Sequence, residues 1–347
     1  MLVSISIKDV AQESGFSKST VSAVVNNLPC VKPVTKEKVQ QAIDKLGYRP
    51  NIAARELITQ RKHNIGIVNV VYDVSLENSK SYFDTTSETT YFDIATAVMS
   101  DVSKTHYGLL IDRVGFSQSS IALPSFAKTG NVIGAFLIGT IFSDEYVEKF
   151  LKYIDNVVVI GNRCDLVDSV GNDYTQSAYA AVEYLTKRNH RRIAFVNGDP
   201  ESKASPDKLL GYKKALQDAG IAYDESLVDE SRFTGRGGYE AFARIWNRST
   251  LKPTAVFFSS DELAVGAARF MYEQGIQIPQ DISVMGYEDS ALAEFMTPAL
   301  TTVHRNKHQL GHEAFQLMLS RIEKPDLPPR FSIVPFCIVE RKSIRTL

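Results

Sequence analysis

Apolar residues recur at helical spacing in the first fifty positions of the chain and predict three short helices. Ser6 stands at the start of the first helix and Gly15 at its end, Ser17 precedes the second helix, and Thr35 and Gly47 bound the third. The positions predicted to face inward are Ile7, Val10 and Ala11, then Val21, Val24, Val25 and Leu28, then Val39, Ala42, Ile43 and Leu46.

The outer face of the second predicted helix carries only small, polar or cationic residues: Lys18, Ser19, Ser22, Ala23 and Asn26. Two helices joined by a tight glycine turn, the second with a short polar face, are typical of a helix-turn-helix. Lys18 and Ser19 lie at the helix start, where side chains reach base edges, whereas Ser6, Thr20, Ser22 and Asn26 suit phosphates. A structural three-helix bundle with a solvated face is the alternative.

A short amphipathic segment follows the third predicted helix. Tyr48-Arg49-Pro50 ends the preceding helix, and Asn51 can cap a new helix of about eight residues. Its apolar surface consists of Ala53, Ala54, Leu57 and Ile58. A helix of about this length is unstable alone in water, so the segment at 51–63 is predicted to need a partner.

From Asn64 onward, short apolar runs alternate with amphipathic stretches, which predicts parallel sheets with helical crossovers. The runs form two similar sets, starting at Ile65, Leu109, Ala135 and Val157, and at Ile193, Leu227, Ala255 and Ile282. Predicted helices span about 92–106, 175–189, 206–219, 236–248, 261–274 and 306–322. Two α/β lobes of this kind predict a ligand cleft at the carboxyl ends of their strands.

The charge of the chain is divided between these regions. The net charge of the 347 residues is −1, but residues 1–63 carry +5 and the remainder −6. An excess of positive charge is what a phosphate backbone attracts, so this division favours DNA binding over the structural bundle.

Several classes of protein are disfavoured by the sequence. The three cysteines are far apart, and no signal peptide or membrane-length apolar run occurs, so we expect a soluble protein of the reducing cytoplasm with no membrane role. The sequence contains no GxGxxG turn, P-loop or GxSxG elbow, so none of these motifs supports an enzyme. His304, His308 and His312 recur at helical spacing, but His304 is predicted to precede its helix, so neither a metal nor a cofactor is expected.

The motifs of the first sixty residues resemble the lactose-repressor/galactose-repressor family. They are Ile7-Lys-Asp-Val-Ala, Gly15-Phe-Ser-Lys-Ser-Thr-Val-Ser, Val25-Asn-Asn, Thr35-Lys-Glu-Lys-Val, Leu46-Gly-Tyr-Arg-Pro-Asn and Ala54-Arg-Glu-Leu. The resemblance implies base-reading positions at Lys18, Ser19 and Ala23, and a hinge helix whose Leu57 is inserted into the minor groove. Ala23 is shorter than the polar residue often found there. The expected DNA-binding residues are Ser6, Ser17, Lys18, Ser19, Thr20, Ser22, Ala23, Asn26, Asn51, Ala54, Arg55 and Leu57.

The remainder resembles the same family, and two stretches, starting at Pro279 and Thr297, are similar to its purine repressors. This implies a periplasmic-binding-protein-like body at 64–347 after a headpiece at 1–50 and a hinge at 51–63. We expect the lobes to be joined by crossings near 162, 290 and 323. The first lobe then comprises about 64–162 and 291–322, and the second about 163–290 and 323–347.

The resemblance also implies a set of effector-binding residues: Tyr91, Phe92, Asn162, Arg163, Lys208, Phe233 and Asp261. Lys208 replaces the usual arginine and offers a point charge instead of a fork. Other interpretations remain for single residues: Asp261 as a helix cap, Phe233 as core and Lys208 as a solvated side chain. The polar stretch from Val74 to Thr90 is expected to form a mobile loop.

Together these features predict a dimeric, ligand-controlled transcriptional repressor that binds a pseudo-palindromic DNA operator. Its effector, a sugar by family resemblance, is expected in the cleft between the lobes. A soluble ligand-binding protein without a DNA role and a metabolite-converting enzyme are the alternatives.

Overall fold

The computed structural model divides into two compact units, residues 1–62 and 63–347. None of the helices that it describes has the length and apolar character required to cross a bilayer. The described residues are 5–25, 31–48, 63–72, 89–117 and 120–347.

The first unit contains the three predicted helices: α1 (Ile7–Ser14), α2 (Lys18–Val25) and α3 (Pro33–Leu46). Their buried residues are Val10, Val21, Val24, Val39 and Ala42, all predicted to face inward. Gly15 closes α1 with φ of 72°, a left-handed conformation that favours glycine. The third helix starts two residues before the predicted cap Thr35. Pro33 takes its first position, where the missing N–H costs nothing, and Lys32 is the N-cap.

The second unit is an α/β structure of two parallel sheets, as predicted. Its strands are β1 (Asn64–Tyr72), β2 (Gly108–Ser117), β3 (Ser120–Ile121), β4 (Val132–Ile138), β5 (Asn156–Ile160), β6 (Asp168–Gly171), β7 (Ile193–Asn197), β8 (Val228–Glu230), β9 (Ala255–Phe258), β10 (Ser283–Glu288), β11 (Thr301–His304), β12 (Phe331–Ile333) and β13 (Cys337–Val339). Its described helices are α4 (Thr89–Val102), α5 (Asp144–Leu151), α6 (Tyr174–Thr186), α7 (Ala204–Asp218), α8 (Gly235–Arg248), α9 (Asp261–Glu273), α10 (Ala291–Phe295) and α11 (Lys307–Glu323).

Each lobe is built on one sheet. The first has the strand order β12-β6-β5-β4-β1-β2-β3 and the second β13-β11-β10-β9-β7-β8. Helices cover both faces of the sheets, so central strands such as β4 and β9 are buried almost throughout and read as continuous apolar runs. Hydrophobic clusters on the two faces of each sheet form the cores of the lobes.

The chain passes between the sheets at three crossings, residues 172–173, 305–306 and 334–336. The expected crossings near 162, 290 and 323 are therefore all placed too early. The reason is that β6 still pairs with β5 in the first sheet, β11 still pairs with β10 in the second, and β12 returns to pair with β6. These short strands lack the long apolar runs by which the other strands were predicted.

The connection between α11 and β12 is held by one buried carboxylate. Asp168, fully buried at the start of β6, accepts from Arg321 Nε at 3.0 Å and from Arg330 N at 2.9 Å. The side chain of Arg330 also donates to it at 3.2 Å. Two guanidinium groups thus compensate a charge that would otherwise be costly inside the lobe.

We expect Asp168→Ala to lower the free energy of unfolding by about 3 kcal/mol, because it leaves the largely buried Arg321 without its carboxylate. Urea denaturation of the two proteins measures the difference. Asp165→Ala is the control, since Asp165 pairs with Arg163 on the surface and its loss should change stability little. Equal effects of the two substitutions would contradict a structural role for the buried carboxylate.

Candidate functional site

The start of α2 presents a short polar surface. Ser17 caps the helix, because its Oγ accepts from Thr20 N at 3.2 Å, and it also bonds to Ser19 Oγ at 2.7 Å. Ser17, Lys18 and Ser19 are exposed, as base or phosphate contacts require. The capping bonds fix the backbone from which Lys18 extends.

The remaining predicted DNA contacts fall into two groups. Thr20, Ser22 and Ala23 are half-buried on α2, and Ser6 is exposed before α1, with its Oγ donating to Asp9 Oδ2 at 2.7 Å. Asn26, Asn51, Ala54, Arg55 and Leu57 lie outside the described residues, as does most of the stretch at 74–90.

A cleft between the two lobes of the second unit holds about 850 Å³, including the open space at its mouth. Residues from both lobes line it, and its walls combine aromatic rings with four charged side chains. The lining residues are Asn69, Val70, Thr90, Tyr91, Ile138, Gly139, Thr140, Ile141, Tyr174, Ala204, Lys208, Phe233, Ser260, Glu262, Glu288 and Arg305.

Three of the predicted effector residues line this cleft: Tyr91, Lys208 and Phe233. The ring of Phe233 lies against the backbone at Gly198, where an added Cβ would come within 1.9 Å of it. Only glycine allows this approach, so the turn after β7 positions the aromatic ring in the cleft. Phe233 is half-buried, so it is not purely a core residue.

Lys208 is 2% exposed, which excludes the interpretation of a solvated side chain. Its Nζ donates to the backbone oxygen of Ser259 at 2.8 Å and lies 3.9 Å from the centre of the Tyr287 ring. Burial lowers the pKa of Lys208 to about 7, although the negative charge of Glu288 opposes this change. The cleft therefore contains an amine whose charge depends on its immediate surroundings.

A buried ion pair forms the polar end of the cleft. Arg305 Nη1 donates to both oxygens of Glu288, at 2.9 and 3.1 Å, and Thr90 Oγ1 donates to the same carboxylate at 2.9 Å. Burial by itself would raise the pKa of Glu288, but the charges of Arg305, Lys208 and Lys307 hold it below its usual value. Glu288 is therefore an ionised carboxylate at neutral pH.

The backbone turns sharply at this carboxylate. Glu288 has φ of 120° and Asp289 has φ of 54°, conformations that cost non-glycine residues on the order of 1–3 kcal/mol each. Asp289 is held by Arg341 at 2.7 Å and by His304 at 2.9 Å. Strain at the end of β10 thus aims the Glu288 side chain into the cleft.

Asp261 does not line the cleft, contrary to expectation. It is fully buried behind the wall, where its oxygens accept from Ser290 N and Thr302 Oγ1, both at 2.7 Å. Burial raises its pKa to about 7 despite these bonds. It is not the helix cap either, because Ser260 Oγ accepts from Leu263 N at the start of α9. The acidic residues that line the cleft are Glu262 and Glu288.

Phe92, Asn162 and Arg163 also lie away from the lining of the cleft. Phe92 follows Tyr91 on α4, so it points about 100° away and is 56% exposed. Asn162 is buried with its amide toward Gly139 O, and Arg163 pairs with Asp165 at the surface. Both follow β5, where the chain returns to the same sheet instead of crossing to the other lobe.

The sequence offered one signal for the lining residues that were missed. Thr140, Ser260 and Glu288 lie at or just after the carboxyl ends of β4, β9 and β10, where ligands of open α/β sheets bind. Asn69 is inside β1 but pairs with Ile138, the last residue of β4, and so lies at the same edge of the sheet. Thr90, Tyr174, Glu262 and Arg305 gave no such signal, because their positions depend on the packing of helices and crossings.

The rim of the cleft is bridged by contacts between the lobes. Thr140 Oγ1 accepts from Ser202 Oγ at 2.8 Å, and Thr140 O accepts from Lys203 N at 2.9 Å. Lys203 also pairs with Asp144 at 2.5 Å. These contacts hold the two lobes together across the entrance.

The three regularly spaced histidines do not share a site. His304 ends β11 and pairs with Asp289, whereas His312 on α11 pairs with Asp101 at 2.7 Å. Within the described part of the chain, no cluster of side chains has the composition of a metal site.

Comparisons with known proteins agree with this architecture. A family model described as bacterial regulatory proteins, lacI family, matches residues 6–51, and a periplasmic binding protein-like domain matches residues 182–344. The HTH-type transcriptional repressor PurR of Vibrio atlanticus (strain LGP32) is 32% identical, over 98% of this chain and 99% of that protein.

Two solved structures extend the comparison. The lac repressor dimer bound to operator and the anti-inducer ONPF has a TM-score of 0.82 at 23% identity, over 98% of this chain and 99% of that one. The complex of the transcriptional regulator CelR with cellobiose has a TM-score of 0.69 at 27% identity, with the same coverage.

A helix-turn-helix unit followed by a two-lobed body with a cleft defines the class of ligand-responsive transcriptional repressors, not an enzyme. The chain belongs to the lacI family of bacterial regulatory proteins. The predicted family, fold class and general function are confirmed.

The buried Lys208 predicts a specific dependence of stability on pH. Between pH 7 and about 10 the unfolded chain keeps the proton that the folded protein has lost, so stability rises with pH. We expect the wild-type protein to gain stability relative to Lys208→Met over this interval, by at most about 1.4 kcal/mol per pH unit. Urea denaturation at several pH values measures this difference.

Lys214→Met is the matched control, because Lys214 is exposed on the same helix, α7. Its stability should follow that of the wild-type protein across the interval. A constant difference between the wild-type protein and Lys208→Met would show that Lys208 keeps its charge when folded.

Proposed function

We propose that this repressor binds a small polyhydroxyl effector, a sugar, in the interlobe cleft and that binding controls its affinity for a DNA operator. The observation that carries the proposal is the cleft itself, in which aromatic walls surround a few convergent polar groups. Pockets of this composition are typical of small-molecule sites.

The chemistry of the lining supports a sugar. Tyr91, Tyr174 and Phe233 offer apolar surface to the face of a ring, while Glu288, Arg305 and Asn69 offer acceptors and donors to hydroxyl groups. The similarity to a cellobiose-binding regulator agrees with this class of effector. Lys208 adds a donor that also suits a phosphorylated sugar, which makes such compounds the second candidates.

On the DNA side, we propose that two headpieces of a homodimer bind the half-sites of a pseudo-palindromic operator. Lys18, Ser19 and Ala23 are the proposed base-reading positions, with Ser6, Ser17, Thr20, Ser22 and Asn26 as supporting contacts. In the hinge segment, Asn51, Ala54 and Arg55 are further proposed DNA contacts, and Leu57 is the proposed minor-groove wedge. Exposed aromatics on the second lobe, Tyr272 and Phe295, support a contact between subunits.

A thermal-shift screen of sugars, sugar phosphates and nucleobases tests the effector proposal, because a ligand that binds only the folded protein raises the melting temperature. We expect at least one sugar or sugar phosphate to do so and Phe233→Ala to lose the response, since this ring lines the cleft.

Phe92→Ala is the matched control, because it removes an equal ring outside the cleft and should leave the shift intact. A panel without any response would contradict the effector role of the cleft, and a response confined to nucleobases would replace the proposed class of ligand.

Binding to operators selected from a random duplex pool tests the DNA proposal. We expect Lys18→Ala to reduce the preference for operator over random DNA by about 1–3 kcal/mol, because Lys18 is proposed to read a base. Lys38→Ala removes an exposed lysine from α3 instead and should leave this preference unchanged. Equal losses on operator and random DNA would show that Lys18 contacts only phosphate.

A further inference from the structure

A single buried amide joins all three crossings between the lobes. Asn172 lies in the first crossing and is 3% exposed. Its Nδ2 donates to Arg305 O in the second crossing at 3.2 Å and to Val334 O in the third at 2.8 Å. In addition, Val334 N donates to the oxygen of Gly171 at 2.8 Å. Asn172 therefore fixes the spacing of the three segments that connect the lobes.

The same amide is connected to the cleft through one guanidinium group. Arg305 Nε donates to Asn172 Oδ1 at 2.9 Å, and its Nη1 donates to Glu288 at the cleft. Its Nη2 donates at 3.0 Å to the hydroxyl of Tyr174, which lines the cleft at the start of α6. Arg305 is 4% exposed, so no water competes easily for these bonds.

The angle between two lobes joined by three segments depends on how those segments are arranged. If the segments keep their mutual distances, the lobes can rotate only by changing the bonds that hold the crossings. Asn172 supplies two of these bonds with one side chain, and losing it would leave two buried carbonyl groups without its N–H donors.

We propose that Asn172 is the positioning residue that sets the angle between the lobes, and that Arg305 connects it to Glu288 in the cleft. The regulatory meaning of this arrangement rests on the proposed function of the cleft as the effector site. A ligand that engages Glu288 or Arg305 alters the bonds of the group that holds the crossings. The protein then has two states that differ in the angle between the lobes. The ligand favours the state in which it binds more tightly, to the extent that its bonds to Glu288 and Arg305 differ between the two.

Distance measurements between the lobes by double electron–electron resonance test the proposal without effector or DNA. Spin labels are attached at Glu148→Cys on α5 and Gln217→Cys on α7, both exposed, in the full chain with Cys30→Ser and Cys337→Ser. The buried Cys164 is retained. Labelled protein is mixed with an excess of unlabelled protein, so that a dimer carries at most one labelled subunit. We expect one narrow distance in the otherwise unchanged protein, and a broader distribution with a shifted maximum in Asn172→Ala.

Asn197→Ala is the matched control. Asn197 is 1% exposed and makes the same kinds of bonds, donating to Ser205 O at 3.0 Å and accepting from Gly198 N at 2.9 Å, but within the second lobe alone. Its loss should leave the interlobe distance narrow. An unchanged distribution in Asn172→Ala, or equal broadening in Asn197→Ala, overturns the proposal.

Two further variants separate the parts of the arrangement. Asn172→Asp keeps the oxygen that accepts from Arg305 but lacks the N–H groups, so it should also shift the distance, and it serves if the alanine variant does not fold. Arg305→Lys cannot span Asn172, Glu288 and Tyr174 at once and should shift it too.

The double variant Asn172→Ala with Arg305→Lys should show no more displacement than either single variant, because both break one connected group. Additive displacements would overturn the connection between the crossings and the cleft. Since no ligand is present, these results stand apart from the thermal-shift screen. An unchanged distance distribution in Asn172→Ala refutes the positioning role even if the cleft binds a sugar.

Discussion

The second unit of this repressor depends on a buried charge pair at the point where its lobes meet. Arg305 and Glu288 are both less than one-tenth exposed, and the cost of burying either charge is offset only while the other remains in place. The pair also draws in Thr90 of the first lobe and Asn172 of the first crossing. The charges of the cleft and the geometry of the crossings therefore depend on the same residue, Arg305.

The other ionisable groups of the cleft region respond to the same burial. The pKa values of Lys208 and Asp261 both move to about 7, in opposite directions, because each is buried without an opposite charge in direct contact. Glu288 instead stays ionised because Arg305 contacts it. A bound ligand that adds an acceptor near Lys208 would favour its protonated form, so binding and proton uptake would be linked.

The resemblance to known repressors and the geometry of the cleft agree on the fold and on three lining residues, Tyr91, Lys208 and Phe233, but differ on the carboxylate. The family resemblance implied Asp261 as the ligand carboxylate, yet its oxygens accept hydrogen bonds from Ser290 and Thr302 behind the cleft wall. Glu288 is one strand further along the sheet and lies in the lining. Glu288 ends β10 and Asp261 comes three residues after the end of β9, so both lie near the carboxyl ends of parallel strands. Their hydrogen-bond partners distinguish them, since Asp261 bonds behind the wall and Glu288 bonds to Arg305 and Thr90 at the cleft.

The sequence by itself determined the three helices of the first unit, most strands and helices of the two lobes, and the regulatory class. It could do so because helical spacing and buried apolar runs are local properties of the chain. Only the tertiary structure decided where the lobes are joined and which side chains line the cleft. Strands as short as β6, β11 and β12 are defined by their partners in the sheet, and residues such as Tyr174 and Arg305 enter the cleft because distant segments meet there.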